Sequence, residues 1–296
     1  MDKIEKTADT NLLVYKKGYT PAYVKTILKK KGLDGLRIVA VLQENRFDNL
    51  DFLSEYGFLT KLHITSRDDC DFSFLEKMQI LEDLSINIPG TSVIDLANQT
   101  NLSNLSINWR KQIQHISSCN NLKKLTLIEF REIDFSAIKS LKSLSSLSIK
   151  TSSIKTLAGI KELINLEYLS LGNCGSLKDI HELNVLGSLK ELKFDICSRL
   201  RDFSSLSVLS SLEVLQIDDC KKIKSIEFVV FFPKLRKLTL LGNTDVEDGN
   251  LANAKSLEVY YTPRKHYNII IKNKTADKIK TANIAKLTSL FGKRLV

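Results

Sequence analysis

The sequence is short of the residues that interrupt or cross-link a chain. Only 4 prolines and 12 glycines occur in 296 residues, which leaves little material for long flexible linkers between domains. Five cysteines are an odd number and include no Cys-x-x-Cys pair. A disulfide framework or a zinc knuckle is therefore not expected, and the thiols suit a reducing, cytoplasmic setting. Long apolar runs are missing too. The strongest, residues 228–232, is closed by Pro233 and is far too short to span a bilayer. Residues 1–17 carry scattered charges and no apolar stretch, so no secretory leader is expected there.

Catalytic signatures are equally scarce. There is no Gly-x-Ser-x-Gly, no phosphate-cradling glycine loop and no His-Glu-x-x-His. His63, His115, His181 and His266 are scattered without metal-ligand spacing, and the acidic run at Asp245, Glu247 and Asp248 misses the calcium-loop pattern. No catalytic residue, metal or cofactor is expected, and the chain reads as a non-enzyme.

Charge is unevenly placed. Lys plus Arg against Asp plus Glu is 8 against 4 over residues 1–35, 26 against 28 over 36–254, and 10 against 2 over 255–296. The formal +10 thus belongs to the ends. A nucleic-acid reader carries its basic stripe on the binding face, so the neutral body argues against nucleic acid as its partner.

Against this background one pattern recurs. Leu-x-x-Leu-x-(Ile/Leu/Phe/Val) has its first two anchors at Leu33/Leu36, Leu59/Leu62, Leu81/Leu84, Leu102/Leu105 and Leu122/Leu125. It continues at Leu144/Leu147, Leu166/Leu169, Leu189/Leu192, Leu212/Leu215 and Leu235/Leu238, with Ala254/Leu257 as a degenerate final copy. The third anchors run from Ile38 through Leu171 and Phe194 to Val259. Second and third anchors lie two residues apart, as neighbours on one face of a strand must. Behind them Ile154, Leu157, Ile160 and Leu163 recur every third residue, which suits 3₁₀ turns. A copy this small cannot bury its own apolar side and must stack on the next.

In "SSIKTLAGIKELINLEYLSL" (residues 152–171) the chain closely resembles the leucine-rich-repeat family, in the roughly 22-residue class of phosphatase-regulator and internalin-like repeats. The resemblance covers residues 33–262. It implies an α/β solenoid with a curved parallel sheet on the concave side, short or 3₁₀ helices on the convex side, and a concave face that binds a protein. The family keeps Asn or Cys at the ninth position to hydrogen-bond the turning backbone. Cys174, Cys197, Cys220 and Asn243 follow that rule, whereas Arg67, Pro89, Arg110, Phe130 and Ser152 do not, so the N-terminal half is expected to turn less regularly.

The ends read as caps, residues 1–32 and 263–296. Thr20-Pro21 opens a helix with Val24, Ile27 and Leu28 on one face, Lys29, Lys30 and Lys31 near its end and Gly32 as its stop. At the other end residues 266–271 suit a strand and Thr275 the start of a basic helix, to cover an otherwise open solenoid end.

Three groups are candidate partner contacts. Ile88, Trp109 and Ile128 sit near the seventh or eighth position of adjacent copies, beside Asn108 and Glu129. The single tryptophan is either an interface anchor or a loop residue folded onto the core. Glu191, Asp195, Asp218 and Asp219 gather as an acidic patch, and Tyr260 and Tyr261 close the row. Between them the fifth position carries five small hydroxyls, Ser85, Ser106, Thr126, Ser148 and Ser170. The expected function is a monomeric, non-catalytic module that binds a protein as scaffold, inhibitor or regulator, including the immunity type. The alternative is attachment to RNA or an anionic membrane through the basic C-terminal helix.

Overall fold

The computed structural model describes residues 2–7, 10–41, 47, 49–206 and 208–267. The chain opens with two short strands, β1 (Ile4–Lys6) and β2 (Asn11–Val14), and one helix, α1 (Pro21–Lys31). The strands then run β3 (Gly35–Ala40), β4 (Lys61–Ser66), β5 (Asp83–Asn87), β6 (Ile94–Asp95), β7 (Asn104–Asn108), β8 (Ile113–Gln114) and β9 (Lys124–Phe130). They continue as β10 (Ser146–Ser152), β11 (Tyr168–Gly172), β12 (Glu191–Asp195), β13 (Val214–Asp218), β14 (Lys222–Ile223), β15 (Lys237–Leu240), β16 (Asp245–Val246) and β17 (Glu258–Tyr261). The two-residue strands pair with each other, β6 with β8 and β14 with β16; the other thirteen form one sheet. From β2 onward that sheet is parallel and neighbours follow chain order. Parallel neighbours need a crossover of a dozen or more residues, and each copy supplies one.

Register is set by the anchors. Leu62 lies beside Leu84, Leu84 beside Leu105, and the column runs on through Leu125, Leu147, Leu169, Leu192, Leu215 and Leu238. A slip of one residue would turn every anchor out to water. All of these leucines are buried. Behind them Ile154, Leu157, Ile160 and Leu163 are buried as well, on turns that include 3₁₀ segments such as Ile160–Glu162, His181–Val185 and Glu227–Phe231.

Two further sets of side chains hold this geometry. Asp134, Asp179, Asp202 and Asp248 each accept, at 2.8–3.0 Å, the backbone N–H two residues on, where the chain enters the rear turn. Just before the first anchor, the amides of Asn101, Asn121 and Asn165 donate to the carbonyls of Gln79, Thr100 and Lys142 one copy back, at 2.8–2.9 Å.

The helix foreseen after Thr20 is present. The Thr20 hydroxyl accepts the Tyr23 N–H, Val24 is buried, and Gly32 ends the helix at φ +58°. The N-terminal region also adds strands that the repeat pattern does not announce, because β2 pairs in parallel with β3 and β1 folds back antiparallel on β2. Asp2 then ties this end together by accepting from Tyr19, Tyr23 and Lys31 at 2.8–3.0 Å.

The last copy departs from the expected register. Val259 pairs with Leu238 and Tyr260 with Thr239, so Val259 is the second anchor and Tyr260, not Glu258, takes the fifth position. Ala254 is buried in the rear turn Ala252–Ala254 rather than serving as an anchor, and Leu257 is only partly buried. His266 and Tyr267 lie in and just after a turn; the rest of the proposed C-terminal strand and basic helix falls outside the described residues.

Anchor and open-face neighbours on one strand should respond oppositely to truncation. Leu169→Ala is expected to cost about 3 kcal/mol of unfolding free energy, and Ser170→Ala less than about 0.5 kcal/mol. Urea denaturation of the two variants checks this.

Candidate functional site

The side of the sheet away from the rear turns is formed by the third, fifth and seventh positions of each copy. The fifth-position column, from Arg37 and His63 through Ser85, Ser106, Thr126, Ser148 and Ser170 to Lys193 and Gln216, stays half-exposed. Register places Tyr168 beside Glu191 on one flank, and Asn108 beside Ile128, then Lys150, Gly172, Asp195 and Asp218, on the other. Between these flanks, from Ser85 to Ser170, runs a floor of five hydroxyls.

The Ile88–Trp109–Ile128 row does not form. Ile88 occupies the eighth position and is wholly buried in the core, so it offers no contact surface. Trp109, also at the eighth position, packs its ring edge-on against Phe130 with centroids 4.8 Å apart, and its indole N–H donates to Glu132 at 3.0 Å. It is the loop residue folded onto the core. Ile128 alone of the three is on the open face, half-exposed and paired with Asn108, which is 9% exposed. Glu129 is exposed at the strand end, with Arg131 3.4 Å away.

The acidic patch divides in the same way. Asp218 is 9% exposed and engaged by the fold, accepting the Leu241 N–H at 2.9 Å and the Gln216 amide at 2.6 Å. Asp219 accepts the Asn243 N–H at 2.9 Å over Gly242, where a Cβ would lie 2.2 Å from its carboxylate. Both therefore hold the last loops. Glu191 pairs with Lys193 at 2.8 Å, and that lysine also lies 5.3 Å from the Tyr168 ring centroid. Asp195 is different: burial, and then the charges of Asp218 and Asp219, push its carboxyl up to about 6. Tyr260 lies under Lys237, 4.8 Å from its ring centroid, whereas Tyr261 sits in the anchor column and packs on Tyr267.

At the ninth position Cys174, Cys197 and Cys220 are buried and donate their thiols to carbonyls at the strand ends: Gly172 at 3.6 Å, Leu171 at 3.3 Å and Asp218 at 3.1 Å. The ladder ends one residue later than the spacing suggests. Thr244, wholly buried, accepts the Cys220 N–H at 3.0 Å, while Asn243 is exposed. In the N-terminal half Arg110 does equivalent work on a larger scale. Its side chain is 3% exposed and donates to Asp69 and to the Ser92 carbonyl at 3.0 and 3.3 Å, and also to the Ile88 carbonyl. This role was hidden behind its misfit to the Asn/Cys rule.

Each histidine sits beside an aspartate: His63 with Asp83, His115 with Asp95, His181 with Asp179 and His266 with Asp245, at 2.7–3.1 Å. Burial pushes the Cys70 and Cys119 thiols up to about 12, away from nucleophilic behaviour. Among the described residues no cluster of His, Cys, Asp and Glu could hold a metal ion, and no helix is long and apolar enough to cross a membrane.

No protein-family model and no curated protein matches the sequence. Solved structures do. An internalin, InlF, from Listeria monocytogenes superposes with a TM-score of 0.58 at 20% identity, over 89% of this chain and 85% of that one. Internalin C2 from the same organism is 21% identical, with a TM-score of 0.41 over 57% of this chain and 84% of its own. The functional domain of InlJ, described as including a cysteine ladder, is 18% identical, with a TM-score of 0.45 over 78% and 59%. The chain has the fold of a leucine-rich-repeat solenoid. What the superposition on InlF establishes is the fold.

The two aspartates of adjacent strands should separate on substitution. Asp218→Ala leaves the half-buried Leu241 N–H without its acceptor and is expected to cost about 2 kcal/mol. For Asp195 the folded state binds the proton more tightly than the unfolded chain, whose carboxyl titrates near 3.8. Stability therefore falls as pH rises through the interval from about 4 to 6 and stays reduced above it. Asp195→Asn is expected to remove that slope and to gain on the order of 1 kcal/mol at neutral pH, after discounting for solvent screening. Thermal melts at several pH values check both.

Proposed function

We propose that this chain is a non-catalytic protein-interaction module that holds a folded partner against the concave, hydroxyl-floored face of its sheet. The observation that carries the reading is the partial exposure of the fifth-position column from Arg37 to Gln216, on strands whose opposite side is fully used in packing. With neighbours about 4.8 Å apart, the eleven strands from β3 to β17 run over roughly 48 Å. That is the scale of a protein domain rather than of a metabolite. The small side chains at Ser106, Thr126, Ser148 and Ser170 let a partner approach the sheet closely.

Scaffold, inhibitor and regulator, the immunity type among them, all use such a face, and the chain is proposed to serve in one of these roles as a monomer. A cytoplasmic setting suits the ladder of Cys174, Cys197 and Cys220, which works as three thiol donors. The alternative, attachment to RNA or an anionic membrane, depends on lysines at 272, 274, 278, 280 and 286, outside the described residues.

The test places a bulky charge on the floor. Ser148→Arg is expected to reduce capture of a stoichiometric partner from native lysate at least tenfold, with the melting temperature little changed. Lys161→Glu, on a rear turn, is expected to leave capture intact. If both baits retained the same partner as the wild type, binding would lie off this face.

A further inference from the structure

From β9 to β15 the strand ends of the main sheet repeat one backbone state. Glu129, Thr151, Asn173, Ile196, Asp219 and Gly242, all at the eighth position of successive copies, have φ between +49° and +67°. Left-handed backbone suits Gly, Asn and Asp and is costly for a branched side chain. Ile196 is the one wholly apolar, branched member of the six, and it is 47% exposed. It thus strains the backbone without completing the core. Such an outlier points from structure to use.

Its surroundings say what the use is. Asp195, the preceding residue, faces the open side of the sheet, opposite buried Phe194. On one side its register neighbour is Gly172, which carries no side chain and whose Cβ would lie 3.1 Å from the Ile149 carbonyl oxygen. On the other side is Asp218, a second carboxylate. The lysine on the same strand, Lys193, is drawn the other way, to Glu191 and the Tyr168 ring. A half-buried carboxylate beside a like charge, next to a position without a side chain, is the complement of a long cationic group with an apolar stem.

We propose that the partner seats a basic side chain, arginine by geometry, on Asp195 above Gly172, and packs an apolar neighbour on the exposed Ile196. The inference rests on the protein-binding reading above. Guanidinium suits the place because it is weakly hydrated and can engage a carboxylate with two parallel hydrogen bonds.

Purified full-length protein is titrated with a capped hexa-arginine peptide, followed by calorimetry at neutral pH. A saturable one-to-one complex is expected, weakened about tenfold by Asp195→Asn and about tenfold on acidification to pH 5, where Asp195 takes up its proton. Ile196→Gly is expected to raise the melting temperature by about 2 °C. The same substitution should weaken binding of the partner captured by the wild type. Absence of peptide binding, or binding indifferent to Asp195→Asn, would overturn the proposal. If Ser148→Arg abolished capture of the natural partner while Asp195→Asn left it unchanged, the concave-face reading would stand and the arginine site would fall.

Discussion

A copy of some twenty residues has one apolar side and no second layer to cover it. Everything else in this molecule follows from the need to place Leu169 against Leu147 and Leu192, and each of their counterparts likewise. Stacking forces the strands into a parallel sheet, and the parallel sheet forces each copy to return behind it. The return must turn twice within a few residues. The aspartates that enter the rear turns and the asparagines that leave them supply the hydrogen bonds those corners require.

The corner at the strand end is solved in two ways. In the C-terminal half small buried thiols lie under a left-handed residue and satisfy carbonyls one by one. In the N-terminal half a buried guanidinium reaches carbonyls and a carboxylate at once, stacked 5.4 Å from the Phe72 ring. Asp69 completes that clamp by accepting the N–H groups of Thr91 and Ser92 at 2.7–2.8 Å. Desolvation opposes ionisation of Asp69, but those donors and Arg110 outweigh it and hold the carboxyl near 2.

Most of the architecture was legible in the sequence because a periodic hydrophobic signal is read at many positions together. The main-sheet strands from β3 to β15, the rear 3₁₀ turns and the helix after Thr20 all lie where the spacing puts them. The site was less legible for a reason of geometry. At a strand end a shift of one residue exchanges the open face for the core, and this is why Ile88 and Trp109, read beside Ile128, proved to be packing residues. Counting charges could not show that Asp218 and Asp219 are used by the next loop, because their partners are backbone amides. Leu257 in turn hid the register of the last strand, since Leu-x-Val imitates an anchor pair that the chain forms with Val259 and Tyr261.

The two corner devices differ in reach, and reach governs how such a chain can grow. Cys174, Cys197 and Cys220 each bond only within their own and the adjoining copies, at a constant 23-residue interval. A duplicated copy inserted there would meet the same neighbours as before and lengthen the arc by about one strand spacing, roughly 4.8 Å. Arg110 binds residues 41, 22 and 18 positions earlier in a single clamp, so an added copy within it would pull Asp69 out of reach. The solenoid is extensible at one end and fixed in length at the other.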